Sequence, residues 1–299
     1  MTNQRARKPY PSDVTDAQWE ILAPFIPEPG PYSPREPIPR REIVNGILYL
    51  LRTGCSWRQM PHDVPNGTTV DYSFRKWKRD GTWERAVTAL RKQGRTQMGR
   101  DPEPSAALIE SQSIKTSPVR GCERGFDGGK KLSGRKRHLL VDTLGLLLAV
   151  KVHSAGLVDR RGARLFLQDL VGRFPRLRHL FADNGSSGPL VEWIKTHLGW
   201  NTEIVPKPDP WVLINGELVR RSGPKGHFLV QRHRWKVERT LGWLIRYRRL
   251  ARDYEGLPSS SEALIHIASI RLFLTRLTPF RPLNASFRHT LKITQPAII

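Results

Sequence analysis

Apolar residues recur at helical spacing through the first third of the chain, then fall into short alternating or continuous runs separated by further helical stretches. Thr15-Asp16-Ala17-Gln18 reads as a capping box opening a helix with Trp19, Leu22 and Ile26 on one face. Prolines crowd residues 24–39, and because each fixes its own φ and lacks an N–H they predict an extended linker or arm. A second helix is expected from about Arg40, with Ile43, Ile47, Leu50 and Leu51 in one stripe and Gly54 in the left-handed position that stops it. Thr68 or Thr69 is expected to cap a third, with Val70, Phe74 and Trp77 inward and Gly81 at its end.

Residues 91–104, rich in Gln, Arg, Gly and Pro, read as a linker between a helical module at 1–90 and a larger domain at 105–278, with a basic tail at 279–299. In the larger domain, strands are expected at 106–110, 137–142, 146–154, 177–182 and 203–206, with Thr143-Leu144-Gly145 as a hairpin turn. Asp159 is positioned to cap a helix carrying Leu165, Leu167 and Leu170, and further helices are expected at 190–198 and 233–250. Ser259 to Glu262 reads as a capping box for a buried apolar helix ending at Leu277. The order predicts an α/β fold, a mixed sheet flanked by helices, preceded by a small all-α module.

Charge changes the picture. The 299 residues carry 50 Lys and Arg against 27 Asp and Glu, a net charge of +23. An excess of that size attracts polyanions by counterion release, which makes nucleic acid the first partner to expect. No run of 18 apolar residues and no lysine-rich amphipathic anchor appears, which argues against a membrane role. The basic start, Met1 to Pro9, is followed by no apolar segment of signal-peptide type, so a cytoplasmic location is expected. Cys55 and Cys122 lie far apart without zinc-finger spacing and are expected to be reduced structural thiols.

Three acids stand where their surroundings would otherwise be apolar or positive. Glu110 ends Ala106-Ala107-Leu108-Ile109, Asp183 ends Leu180-Phe181-Ala182, and Glu238 interrupts a basic helix. If the first and fourth strands pair side by side, Glu110 and Asp183 become neighbours, and a helix across that edge brings in Glu238. Three carboxylates so placed would repel one another unless cations held them ionised, and Mg²⁺, with Mn²⁺ as substitute, suits oxygen ligands. A pair of such ions can activate a water or a 3′-hydroxyl and steady the leaving oxygen in phosphodiester chemistry. Taken singly, Asp183 before Asn184-Gly185 is also compatible with a turn former, and Glu238 with an i, i+4 partner of Arg234.

Basic residues surround these positions. Arg75, Lys76, Lys78 and Arg79 decorate the third helix, whose company of short helices and a Gly-containing turn fits a helix-turn-helix. Lys115, Lys130, Lys131, Arg135, Lys136 and Arg137 flank a glycine-rich stretch able to follow a phosphate backbone, and Arg234, Arg239 and Arg246 accompany Glu238. Trp235 and Trp243 fit either core packing or stacking on a flipped base.

Longer motifs now add a family resemblance. Thr15-Asp16-Ala17-Gln18-Trp19, the segment from Gly46 to Pro61 and Gly81-Thr82-Trp83-Glu84 resemble the N-terminal DNA-binding module of bacterial insertion-sequence transposases of the DDE type, in the IS-five group. Ser111-Gln112-Ser113-Ile114-Lys115-Thr116, the segment from Gly134 to Thr143, Asp159-Arg160-Arg161-Gly162-Ala163 and the segment from Val237 to Leu244 resemble its catalytic domain. The resemblance implies an RNase H-like fold behind a helix-turn-helix-like domain, with Glu110, Asp183 and Glu238 as catalytic residues and ligands of two metal ions. It further implies double-stranded DNA as partner, recognition of terminal inverted repeats, cleavage followed by strand transfer, and a homodimer on DNA. Two departures accompany it: the family pattern has Asp at Glu110, and a tyrosine-bearing segment where this chain reads Asn184-Gly185-Ser186-Ser187-Gly188. They leave a second expectation, a DNA-binding derivative with impaired catalysis that acts as a repressor or domesticated factor.

Overall fold

The computed structural model describes residues 7–30, 38–117, 121–205, 211–214, 217–220 and 234–278; the tail at 279–299 and residues 31–37 of the proline-rich arm lie outside them. Near the N-terminus local sequence signals decide the elements. Helix α1 (Asp16–Leu22) opens on the expected capping box, and α2 (Arg40–Thr53) buries Ile43, Ile47, Leu50 and Leu51 before Gly54 stops it at φ +78°. Helix α3 (Gly67–Arg79) buries Val70, Phe74 and Trp77, but its cap is Asn66, whose Oδ1 accepts from the Thr68 amide at 2.9 Å, rather than Thr68 or Thr69.

The expected linker at 91–104 begins inside a helix. Helix α4 (Thr82–Gln97) continues past Leu90 because Arg91 and Arg95 are buried, not solvated. Arg95 pairs with Asp142 and donates to the Asp101 carbonyl at 2.7 Å, so two arginines that read as linker residues face the interior. Helix α4 packs along α9 (Pro258–Leu277), and the N-terminal helices share one continuous apolar core with the sheet. The helical module therefore has no separate core of its own. Helix α9 also lacks the expected side-chain cap: Ser261 donates to Asp253, and Glu262 accepts from the Val152 amide at 2.8 Å.

The sheet comprises β1 (Ala106–Lys115), β2 (Gly125–Asp127), β3 (Leu132–Asp142), β4 (Leu147–Ser154), β5 (His179–Ala182) and β6 (Asn201–Ile204). The order is β2-β3-β1-β5-β6, with β4 also on β3; β1 is antiparallel to β3 and parallel to β5, giving the expected mixed sheet. Successive side chains point to opposite faces, so β1 divides its residues between two cores. Ala107 and Ile109 pack with α5 (Asp159–Gln168) and α6 (Pro189–Leu198), while Leu108 joins α7 (Arg234–Leu244), α9 and the N-terminal helices. Helices on both faces explain why Ala106–Ile109 of β1 and Leu139–Val141 of β3 read as continuous apolar runs.

Several boundaries differ from the sequence expectation. In α5 the inward residues are Ala163, Phe166 and Leu167, while Leu165 is exposed; Asp159 is the first helical residue and makes no cap. The expected single helix at 233–250 is broken: α7 ends at Leu244 and α8 (Arg248–Ala251) follows Tyr247, whose extended backbone (φ −85°, ψ 114°) turns the chain. A two-stranded antiparallel unit, β7 (Trp211–Ile214) with β8 (Glu217–Arg220), had not been anticipated.

Candidate active site and basic surfaces

The register of β1 against β5 sets the geometry. Ala106 pairs with His179, Ala107 with Leu180 and Leu108 with Phe181. Two residues further along each strand stand Glu110 and Asp183, and Asp183 keeps an extended backbone (φ −84°, ψ 173°). The strand-to-strand step is about 4.8 Å, and i, i+2 alternation places both acids on the face of Leu108 and Phe181. Helix α7 packs against β1 on that face through Val237, Leu241 and Leu244, which share a core with Leu108. It is anchored to the β3–β4 turn by Thr240 Oγ1, donating to the Gly145 carbonyl at 2.8 Å, and by Arg239, donating to the Leu144 carbonyl at 2.9 Å. Glu238 follows Val237 on this helix, and Glu110, Asp183 and Glu238 are each half-buried.

Among the described residues no three His, Cys, Asp or Glu side chains form a group able to hold a metal ion. The donor chemistry suits a hard divalent cation, since all three groups are carboxylates. Asp183 accepts from the Ser186 hydroxyl at 3.3 Å, and the 3₁₀ turn Asn184–Ser186 folds back so that the Ser186 amide reaches the Asp183 carbonyl at 3.0 Å. A Cβ at Gly185 would stand 3.2 Å from Asp183 Oδ1, which explains why a residue without a side chain borders the carboxylate.

Two other acids of the sheet domain, Asp142 and Asp159, are structural. Both backbone amides of the β3–β4 turn, Leu144 and Leu146, donate to Asp142 Oδ1 (2.9 and 2.8 Å), which therefore fixes the hairpin. Asp159 holds Lys136 Nζ at 2.6 Å; burial pushes its carboxyl up, but the lysine outweighs this and leaves it below the usual carboxylate range.

The basic residues named from the sequence divide into three groups. Arg75, Lys76 and Arg79 are exposed along α3, with Arg75 paired to Asp71 at 2.6 Å, and Lys115, Lys130, Lys131 and Arg246 are exposed as well. Lys78 instead turns inward and donates to Ser260 and Ser259 at 3.0 and 3.3 Å. The helix begins at Arg234, whose side chain lies outside the described residues.

Arg135, Lys136 and Arg137 are corrections. All three are buried on β3, a strand paired on both edges, and cannot follow a phosphate backbone. Arg135 donates to the carbonyls of Cys122, Glu255 and Gly256 (2.7 to 2.8 Å) and pairs with Asp253 at 3.3 Å. Lys136 pairs with Asp159, and Arg137 donates to the Leu250 carbonyl at 2.9 Å, its guanidinium pushed down to about 10 by burial. Apart from Cys122, the partners of Arg135 and Arg137 lie more than a hundred residues away, which is why a run of basic residues read as a surface.

Arg239 is a second correction. Its guanidinium lies between the rings of Trp235 and Trp243, at 4.6 and 4.5 Å, and Arg276 covers Trp243 at 4.9 Å. The two indoles thus pack arginine, and burial lowers the Arg239 pKa. Missed altogether were Arg160, Arg161 and Arg164, exposed on α5 beside Gly185; Asp159-Arg160-Arg161-Gly162-Ala163 had been noted only as a motif.

Comparisons with known proteins match the chain to transposase family models. Residues 14–87 match a family model described as "Putative transposase of IS4/5 family", and residues 101–273 match one described as "Transposase DDE domain". The chain is also similar to the "Insertion element IS402 uncharacterized 16.2 kDa protein" of Burkholderia cepacia, 26% identical over 140 residues, covering 35% of this chain and 95% of that protein.

Proposed function

The chain belongs to the transposases with a DDE domain, whose fold is RNase H-like, and from that premise we propose that it binds the ends of an insertion element, cleaves them and joins the freed 3′-hydroxyl to target DNA. The observation that carries the reading is the β1–β5 register, which pairs Leu108 with Phe181 two residues before Glu110 and Asp183, with the helix of Glu238 packed against β1. DDE transposases as a family use divalent metal ions. Here Glu110, Asp183 and Glu238 would hold Mg²⁺ or Mn²⁺, which when bound supplies activation of the attacking oxygen and relief of charge on the leaving one.

The remaining residues prepare that site. Arg239, gripped by two indoles and by the Leu144 carbonyl, fixes the rotation of α7 and hence the direction of Glu238. Ser186 and Gly185 hold and make room for the Asp183 carboxylate. The exposed cations of α3, Arg75, Lys76 and Arg79, would position DNA through its phosphates, while contacts to base edges would supply sequence preference. Work on two element ends implies two copies of the chain on DNA, an argument from analogy with the family.

The test uses a duplex carrying the terminal repeats that flank the coding sequence, with Mg²⁺ or Mn²⁺. Asp183→Asn and Glu238→Gln should each lower cleavage at least about 10²-fold, the loss expected when a reacting constellation is misplaced, while binding persists. Cleavage by either variant at the wild-type rate would overturn the assignment. Specific binding without cleavage by the wild type, in either metal, would leave a DNA-binding protein and not an enzyme.

A further inference from the structure

Beside Asp183, the N-terminal turns of α5 and α6 enclose a cleft of about 450 Å³. Its walls include Arg160, Arg161 and Arg164 from α5, and Gly185, Pro189 and Trp193 from the other side. All three arginines are exposed, and among the described residues none forms an ion pair with a carboxylate. Elsewhere Arg41, Arg75, Lys151 and Arg173 each hold an acid, while exposed cations such as Lys76 and Arg79 have no ion pair among the described residues, so it is the crowding of arginines at this cleft that sets it apart. Three like charges within one turn and a half of helix repel one another, an arrangement that a polyanion relieves.

The geometry also says which part of a nucleic acid enters. Trp193 is stacked by His197 at 4.7 Å and covered by Arg164 at 5.4 Å, so its ring is already engaged and offers no free platform for a base. Guanidinium groups remain as the recognising chemistry, and their forked donors suit phosphate oxygens. The cleft includes Gly185, two residues past Asp183 at the same end of β5.

We infer that this cleft grips the DNA phosphodiester backbone next to the bond being cut, with Arg160 and Arg164 as positioning residues and Arg161 as a third contact. The inference rests on the proposed function, and adds a contact surface on the catalytic side of the molecule to the one on α3. Its role is to hold the strand in register with Asp183, so its loss should weaken productive placement as well as affinity.

The experiment measures binding of the full-length protein to a fluorescent 40-base-pair duplex over a range of salt concentrations. Each phosphate neutralised contributes about 0.9 to the slope of log affinity against log salt, so Arg160→Ala with Arg164→Ala should reduce that slope by roughly 1.8. Arg160→Lys with Arg164→Lys should restore most of it. A control, Arg176→Ala with Arg178→Ala, removes the same charge from exposed positions at the opposite end of β5 and should leave the slope near that of the wild type. Both pairs are solvent-exposed, and a thermal melt identical to wild type checks that each variant folds. An unchanged slope in the Arg160/Arg164 variant, with the wild type binding normally, would overturn the inference and leave the transposase reading standing. An equal fall in the control would also overturn it, since the effect would then be one of net charge. Absence of any DNA binding by the wild type would instead overturn the proposed function.

Discussion

Replacing Arg135 with methionine should cost the fold about 3–5 kcal/mol, the range for removing one partner of a buried ion pair. The magnitude follows from what the guanidinium leaves behind. Its carboxylate partner Asp253 is 2% exposed and keeps bonds only from the Ser261 hydroxyl (2.9 and 2.8 Å) and the Glu255 amide (3.0 Å). The carbonyls of Cys122, Glu255 and Gly256 lose a donor at the same time. With a urea slope of about 3 kcal/mol/M for a chain of this size, the midpoint should fall by roughly 1 to 1.7 M. Tryptophan fluorescence in urea reads this directly. Arg135→Met combined with Asp253→Leu should recover a large part of the loss, because an apolar pair leaves no unpaired charge. A midpoint equal to wild type, accompanied by weaker DNA binding, would show that Arg135 faces phosphate and that the buried assignment is mistaken.

Other outcomes follow from the same contacts. Glu110→Asp, which shortens the arm by one methylene, should raise Mg²⁺-dependent cleavage on the order of 10²-fold, given the cost of a misplacement of about 1 Å; an unchanged or lower rate would show that the site is fitted to glutamate. Burial pushes the His138 imidazole down to about 3, beside His153, whose Nε2 lies 2.8 Å from His138 Nδ1. Because the folded pKa lies below the unfolded one, the fold has its full stability above about pH 6.5 and loses it as pH falls toward 3, by about 2 kcal/mol at pH 5 from this residue alone. Urea midpoints at pH 7.5 and 5 test this: His138→Leu should remove that part of the pH dependence, and an identical fall in the variant would refute the assignment. Gly134 faces Lys115 across the β1–β3 pair, and a Cβ there would lie 1.9 Å from the Ile114 carbonyl oxygen. Gly134→Ala should therefore destabilise by about 1–3 kcal/mol or more, and a melting temperature equal to wild type would contradict the strand register.

The elements set by local interactions could be read from the chain. The capping box of Thr15 and Gln18, the stripe of α2 and its stop at Gly54 involve residues a few positions apart, so their physics is complete in the sequence. The pairing of β1 with β5, posed from the sequence as a condition, is also met, because an apolar run ending in an acid occurs twice and a parallel neighbour is the simplest way to bury both. What the sequence could not reveal was the sign of burial for its arginines. A guanidinium is solvated unless carbonyls and a carboxylate are delivered to it, and for Arg135 those come from residues 122 and 253–256, placed by the return of the chain after α8. Helix α4 outran its expected end for the same reason, since Asp142 on β3 receives Arg95. The sequence alone thus determined which residue types are available for metal and phosphate; only the tertiary structure decided which cations are spent on the interior and which, such as Arg160 and Arg164, remain facing outward.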